Sequence, residues 1–314
     1  MVPMLPAYIT HTDCLKHDMG DQHPESPERL GAVNDQLLVK GLLDYMETHQ
    51  APLATYEQLR RAHGDAYLQE LAERGANVPE DGFVQIDPDT RINAYSHHAA
   101  TRAAGAAVMA TDLVATGQCP VAFCNIRPPG HHAEKNAAGG FCFFNNIAVA
   151  IYHALETYKL KRVALLDFDV HHGNGSEDIL AGDKRVLMCS SFEQGIYPFC
   201  GETPKAGNII NTPLPSRSGS QAFREAIADQ WLPALRAFKP QMLFISAGFD
   251  GHREDDMGNL GLVEADFEWV TRQLVMIAND YAHGRIVSCL EGGYELSPLG
   301  RSAAAHVRVL IGAD

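Results

Sequence analysis

The sequence is poor in basic residues, and those it has are not clustered. Its 314 residues include 25 Lys and Arg against 39 Asp and Glu, so the formal net charge is −14 with histidine counted as neutral. Because a phosphate backbone is held by clustered Lys and Arg, we expect no nucleic-acid partner. No stretch approaches the roughly 20 apolar residues that a membrane-spanning helix needs, so we expect no membrane association either.

Cysteines are also few and scattered. There are seven of them, an odd number, and no two form a CxxC pair. This pattern argues against a disulfide scaffold and against a structural zinc site. The first residues have neither the basic start nor the apolar centre of a signal peptide, so we expect a cytoplasmic protein with free thiols.

The sequence pattern predicts a single α/β domain over residues 1–314. No internal repeat, low-complexity tract or Pro/Ser-rich linker divides the chain. Near-continuous apolar runs are typical of strands that are buried on both faces of a parallel sheet, and helix-like stretches alternate with them. The predicted strands cover residues 121–126, 162–168, 185–190, 241–246 and 285–290, and the predicted helices cover 96–116, 145–158, 220–238 and 264–283.

Four of the predicted strands run directly into residues that can do chemistry. The motifs are RPPGHH, DFDVHHGNG, SAGFDGH and EGGYE, in chain order. In open α/β sheets the ligand site lies beyond the carboxyl ends of the strands. We therefore expect these four segments to meet at one edge of the sheet.

The second motif has the composition of a catalytic metal site. Asp167, Asp169 and His171 follow one another at i, i+2 and i+4 where a strand ends, and we expect the alternation of side chains along an extended chain to put all three on one face. Asp169 and His171 offer one carboxylate and one imidazole, and Asp250 is the natural third ligand, leaving one position open for water or substrate. A two-metal site of the arginase type is the competing interpretation, but Gly173 stands where that pattern has a further Asp. The carboxylate count favours one metal.

Histidines and a tyrosine near the other strand ends suit metal-assisted amide hydrolysis. Such a reaction needs a base for the attacking water and an acid for the leaving amine, and His131 with His132 can share these roles near neutral pH. Asp167 or Asn174 would orient the two rings. Tyr294 follows two glycines that permit a sharp turn, and its phenol could stabilise an oxyanion.

A glycine- and aromatic-rich run, GGFCFFNN, lies between the histidine pair and the next predicted helix. Part of this run is expected to be core. Phe141 and a facing aromatic residue, Tyr197, would form a narrow apolar slot for a linear alkyl chain.

Taken together, RPPGHHAE, GGFCFFNN, LDFDVHHGNG, SAGFDGH and LEGGYEL resemble the zinc-dependent histone deacetylase family, with its acetylpolyamine amidohydrolase and acetoin-utilisation relatives. The resemblance covers nearly the whole chain from HPESPERL at residues 23–30 onward. It implies an arginase/deacetylase fold with a central eight-stranded parallel sheet flanked by helices. It also implies zinc-dependent hydrolysis of an N-acetyl amide to an amine and acetate by metal-activated water, with one Zn²⁺ per chain.

The resemblance also assigns roles to the residues that match the family's motifs. The catalytic set comprises the zinc ligands Asp169, His171 and Asp250, the general base His132, its electrostatic partner His131 paired with Asp167, and the carbonyl-polarising Tyr294. Further matches are Phe141, Gly140 and Tyr197 in the substrate tunnel, Arg29 in an internal cavity through which acetate leaves, and Asp89 as a rim residue that hydrogen-bonds the substrate. The family binds potassium largely through backbone carbonyls, at positions matching Asp167, Asp169, His171, Ser190 and Ser191 for one site and Leu180, Asp183 and Val186 for a second.

Three positions narrow the branch of the family. Asn174 stands where class I enzymes have Asp, so at this position the chain is similar to class II enzymes. Tyr294 is the residue of active enzymes at a position where weakly active members have His. Met257 stands where an acidic gatekeeper marks polyamine-selective enzymes, so the resemblance implies an uncharged linker, as in an acetyl-lysine peptide or protein. Acetylpolyamine hydrolysis is the alternative substrate class, and a binding protein without catalysis is disfavoured because every expected catalytic residue is present. The physiological substrate, zinc or iron as the cellular metal, and the oligomeric state stay open.

Overall fold

An eight-stranded parallel sheet forms the centre of the structure, a computed structural model that describes residues 4–79 and 82–313. Its strand order is β2-β1-β5-β10-β9-β6-β7-β8, and β3 pairs with β4 in a separate antiparallel hairpin. In chain order the strands are β1 (Ala7–Thr10), β2 (Glu47–Gln50), β3 (Val84–Gln85), β4 (Arg91–Ile92), β5 (Val121–Cys124), β6 (Val163–Asp167), β7 (Val186–Glu193), β8 (Ile209–Leu214), β9 (Leu243–Ala247) and β10 (Ile286–Leu290).

Helices cover both faces of this sheet. They are α1 (Glu28–Val39), α2 (Tyr56–Leu59), α3 (Asp65–Ala76), α4 (Ser96–Ala115), α5 (Asn146–Thr157), α6 (Asn174–Leu180), α7 (Ser220–Ala226), α8 (Leu232–Phe238), α9 (Glu264–Tyr281) and α10 (Leu296–Leu310). Short 3₁₀ turns lie at Thr12–Leu15 and Leu43–Tyr45. In the described part of the chain, no helix combines the length and the apolar character needed to cross a bilayer.

The core lies in two layers because neighbouring strand residues face opposite sides of the sheet. On β6, Leu165 packs into the layer that contains α4 and α5, while Leu166 packs into the layer of α9 and α10. The second layer also contains the fully buried Trp231. Burial on both faces explains why these strands are near-continuous apolar runs in the sequence.

All five predicted strands and all four predicted helices have counterparts in the structure. The predicted helix over 220–238 is divided into α7 and α8 by a π-helical segment, Ile227–Trp231. Helix α5 begins where predicted because the side chain of Asn145 accepts a hydrogen bond from the Ala148 N–H at 3.0 Å, which caps the first turn. The eight-stranded parallel sheet and single domain implied by the family resemblance are confirmed.

The carboxyl ends of β5, β6, β9 and β10 lie side by side, so the four motifs meet at one edge of the sheet. The expectation that strand alternation places Asp167, Asp169 and His171 on one face is wrong. Strand β6 ends at Asp167, so Asp169 and His171 lie in the turn that follows and strand alternation does not place them. Their positions come from hydrogen bonds within that turn, such as the His171 N–H to Asp169 Oδ1 at 2.9 Å.

Candidate active site

Asp169, His171 and Asp250 form a buried cluster with the atoms needed to hold a metal ion. One ligand atom from each residue lies within 4.8 Å of the others. Nδ1 of His171 lies 3.1 Å from Asp169 Oδ1 and 3.1 Å from Asp250 Oδ2. Burial, together with the negative charge of Asp169, raises the pKa of Asp250 to about 7. A divalent cation would offset this repulsion, so two carboxylates and one imidazole fit a catalytic metal site that keeps an open position.

The structure also gives a steric reason for one metal rather than two. A Cβ atom on Gly173 would lie only 2.3 Å from Oδ2 of Asp167. An aspartate at this position, as in the two-metal pattern, therefore does not fit unless the carboxylate of Asp167 moves away. Among the described residues, Asp169, His171 and Asp250 are the cluster that could hold an ion.

His131 and His132 sit next to this cluster in different electrostatic environments. Nδ1 of His131 lies 3.0 Å from Oδ2 of Asp167, and Nε2 lies 3.8 Å from Oδ2 of Asp169. Burial opposes the charged form of His131, but the negative charges of Asp169 and Asp167 outweigh it and raise its pKa well above the usual range. Burial lowers the pKa of His132, and the positive charges of His131 and His171 lower it further.

Asn174 fixes which nitrogen of His132 carries the proton. Nδ2 of Asn174 donates a hydrogen bond to Glu134 Oε1 at 2.9 Å, so its Oδ1 faces His132, whose Nδ1 lies 2.8 Å away. Because a carboxamide oxygen only accepts, Nδ1 of His132 must be the donor. In the neutral ring, Nε2 then carries the free lone pair.

A buried glutamate that sequence reasoning left without a role holds the histidine turn in place. Oε2 of Glu291 accepts hydrogen bonds from the N–H groups of Gly130 at 2.7 Å and His131 at 3.1 Å. Its Oε1 accepts a hydrogen bond from Ser246 Oγ at 3.0 Å. Burial raises the pKa of Glu291 to about 7. Its position in the EGGYE motif could have indicated a role in the site, because a charged residue there directly follows a buried strand.

Tyr294 is positioned by groups on both sides of its turn. The guanidinium carbon of Arg29 lies 4.8 Å from the centre of the Tyr294 ring, and Arg29 Nε donates to the Gly293 carbonyl at 2.6 Å. Asp255, which sequence reasoning missed, accepts hydrogen bonds from the Tyr294 N–H at 2.7 Å and the Met257 N–H at 3.0 Å. One carboxylate therefore holds the backbone of both Tyr294 and the predicted gate residue Met257.

Arg29 belongs to a buried ionic group behind Tyr294. Glu25 lies between two arginines, with Arg29 Nη1 at 3.0 Å from Oε1 and Arg127 Nη2 at 2.7 Å from Oε2. Burial raises the pKa of Glu25, but Arg127, His17 and Arg29 together outweigh it and the net shift is downward. The HPESPERL segment thus supplies both an anion and a cation to the interior.

A cavity of about 330 Å³ connects the metal cluster to the surface. The rings of His132 and Tyr197 are 4.9 Å apart, and those of Phe141 and Tyr294 are 5.7 Å apart. Phe199, which the sequence did not single out, lies at the mouth with 78% of its surface exposed. The residues that line the cavity are Asp87, Pro88, Asp89, His132, Gly140, Phe141, His171, Tyr197, Phe199, Met257 and Tyr294.

The two expected potassium sites differ in how well this chain suits them. Ser190 and Ser191 are buried, and Ser190 is the strand partner of Asp167, so the first set of positions stays a prediction. The second set also stays a prediction, and a side chain of the protein contacts its carbonyls. The carbonyls of Leu180, Asp183 and Val186 all accept hydrogen bonds from the side-chain amide of Asn208.

The similarity to known proteins extends over most of the chain. Residues 23–310 match the histone deacetylase domain family. The sequence is 37% identical over 279 residues to the histone deacetylase-like amidohydrolase of Pseudomonas aeruginosa, covering 87% of this chain and 72% of that protein. It is 34% identical over 304 residues to a probable deacetylase of Archaeoglobus fulgidus, covering 93% of this chain and 82% of that protein. The crystal structure of the HDA15 HD domain matches with a TM-score of 0.91 at 31% identity, over 98% of this chain and 88% of that one.

Proposed function

The chain belongs to the histone deacetylase family, and from this premise we propose that it is a zinc-dependent deacetylase that hydrolyses N-acetyl-lysine or a similar acetylated primary amine. The observation that carries the proposal is the meeting of a three-ligand cluster and a histidine pair at the inner end of an apolar cavity. That combination suits hydrolysis of an amide carried on a linear chain.

Asp169, His171 and Asp250 would hold the zinc ion, one per chain. A zinc ion bound there would act as a Lewis acid, polarising the amide carbonyl and making a water molecule a better nucleophile. Potassium bound near Ser190 and Ser191 would have a structural role. The support for this assignment is the donor set itself, because two carboxylates and an imidazole are ordinary zinc ligands.

The histidine pair and Tyr294 would move the protons and stabilise the developing charge. His132, whose low pKa keeps Nε2 unprotonated, accepts a proton from the attacking water. His131, kept positively charged by Asp167 and Asp169, stabilises negative charge nearby, and the pair then protonates the leaving amine. The hydroxyl of Tyr294 donates a hydrogen bond to the carbonyl oxygen as that oxygen becomes negative.

The walls of the cavity support acetyl-lysine as the substrate group. Phe141, Tyr197 and Met257 give the tunnel apolar surfaces that suit an alkyl chain without an internal charge. Acetylpolyamines are the second candidate, because the carboxylates of Asp87 and Asp89 at the mouth would attract a cationic chain.

The test is a comparison of acetate release from three substrates by the zinc-loaded protein. An acetyl-lysine peptide is set beside N-acetylputrescine and acetylspermidine, each with and without a chelator, and with His132→Ala as a matched inactive control. We expect chelator-sensitive release that favours the peptide and is lost in the variant. Preference for the polyamines would move the protein to the second candidate, and no release from any substrate with zinc bound would contradict the proposal.

A further inference from the structure

Three backbone carbonyls in the segment between α6 and β7 converge on one nitrogen atom. Nδ2 of Asn208, which lies just before β8, is 3.0 Å from the carbonyl oxygen of Leu180, 3.2 Å from that of Asp183 and 3.1 Å from that of Val186. A single polar group facing three carbonyls at nearly equal distances is in the arrangement that a bound monovalent cation adopts. Here the group at the centre belongs to the protein.

The orientation of the Asn208 amide is fixed by its other end. The N–H of Gly182 lies 2.8 Å from Oδ1 of Asn208. A backbone N–H can only donate, so the oxygen must face Gly182 and the NH₂ group, which carries the positive end of the amide dipole, must face the carbonyls. Flipping the side chain would set oxygen against three carbonyl oxygens and would leave Gly182 without its acceptor.

No anionic side chain of this segment is directed at the three carbonyls to attract a cation. The carboxylate of Asp183 is held by Arg185, with Nη2 at 2.8 Å from Oδ2 and Nε at 3.0 Å from Oδ1. The carboxylate is therefore already paired with a cation that belongs to the chain.

We propose that in this chain the side-chain amide of Asn208 takes the place of the second potassium ion, so that no monovalent cation binds among the carbonyls of Leu180, Asp183 and Val186. The two N–H groups of the tethered amide are shared among these three carbonyls and are present whatever the salt composition. The inference concerns folding and cation content and does not depend on the proposed activity.

The test compares thermal unfolding in KCl and in tetramethylammonium chloride at equal ionic strength. Asn208→Ala removes the amide, while the carbonyls of Leu180 and Asp183 keep their hydrogen bonds from the N–H groups of Asp183 at 3.2 Å and Val186 at 2.9 Å. We expect the substitution to lower the Tm by about 2–6 °C in tetramethylammonium, because all three carbonyls lose the hydrogen bond from the amide. Potassium should restore at least half of that loss beyond any effect that it has on the wild-type protein.

Asn211→Ala is the matched control. Asn211 is a partly buried asparagine on β8 whose Nδ2 donates to the Gly201 carbonyl at 2.8 Å, away from the three carbonyls. Its loss should lower the Tm with no added potassium dependence. If Asn208→Ala shows no more potassium dependence than this control, the proposal is overturned.

Crystals soaked in Tl⁺, a heavy substitute for K⁺, give a direct second readout. We expect no anomalous peak beside Asn208 in the wild-type protein and a peak among the three carbonyls in Asn208→Ala. A wild-type peak at this position, with the Asn208 amide turned away, would overturn the proposal even if both proteins unfold at the same temperature.

Discussion

Gly140 gives the sharpest mutational test of the candidate site, because its missing side chain leaves the space that His132 occupies. A Cβ atom there would lie 2.5 Å from Cδ2 of His132 and 2.9 Å from Cε1 of Tyr197. Ordinary contact begins at 3.4 Å, so in Gly140→Ala the imidazole must move by about 0.9 Å. That movement would strain the 2.8 Å contact of His132 with Asn174.

A misplacement of about 1 Å at a reacting group can lower the rate about 100-fold, which corresponds to about 2.7 kcal/mol in the activation barrier. Gly140 also has a φ of +55°, and a side chain in this left-handed region costs about 1–2 kcal/mol of folding stability. We therefore expect Gly140→Ala to lose about 100-fold in kcat on an acetyl-lysine peptide and to unfold a few degrees lower. Its zinc content should be unchanged because the atoms nearest to the new Cβ belong to His132 and Tyr197 and not to the three ligands.

The adjacent glycine provides the control for this experiment. In Gly139→Ala the new Cβ would lie 3.1 Å from Asp87 Oδ2 and 3.5 Å from the Tyr197 hydroxyl, contacts that a small side-chain adjustment relieves. Its kcat should stay within about threefold of wild type. Near-wild-type turnover in Gly140→Ala, or equal losses in both variants, would refute the placement of His132 as the base.

Three further results are expected. Tyr294→Phe should retain zinc but lose about 2.7–4 kcal/mol of transition-state stabilisation, the range for one oxyanion donor, and a kcat near wild type would remove Tyr294 from the mechanism. Met257→Glu should shift the ratio of kcat/KM values by about tenfold toward acetylspermidine over an acetyl-lysine peptide, because a carboxylate at the gate attracts an ammonium group. An unchanged ratio would show that Met257 does not face the substrate chain. Burial lowers the pKa of His306 from 6.5 to about 3, so below pH 6.5 the unfolded chain binds a proton that the folded chain does not. Stability should therefore fall as the pH falls, by about 2 kcal/mol at pH 5, and denaturant titrations of His306→Asn should show a flatter dependence between pH 4 and 6.5 if this linkage is correct.

The sequence predicted the centre of the sheet better than its edges. Strands such as β6 and β9 are buried on both faces, so their apolar runs are visible without any alignment. Strand β2, with the sequence ETHQ, is a largely exposed edge strand that has no apolar run. Its pairing with β1 is set by the fold around it, so no local pattern could identify it.

The reactive residues of the site were predictable, and the residues that hold them were not. Asp169, His171 and Asp250 have side chains whose chemistry is recognisable at strand ends. Glu291 and Asp255 act through hydrogen bonds to backbone N–H groups far along the chain, such as that of Gly130, 161 residues away from Glu291. Contacts of this kind depend on tertiary structure, so the sequence shows a charged residue directly after a buried strand, as at Glu291, but not which backbone groups it holds.

The proposed single zinc at Asp169, His171 and Asp250 can be tested by titrating Zn²⁺ into the metal-free protein while acetate release from an acetyl-lysine peptide is measured. We expect activity to rise in proportion to added zinc and to stop rising at one equivalent per chain, with Asp250→Asn failing to respond at the same zinc concentrations. Activity that needs no metal, or that rises until two equivalents are bound, would contradict it.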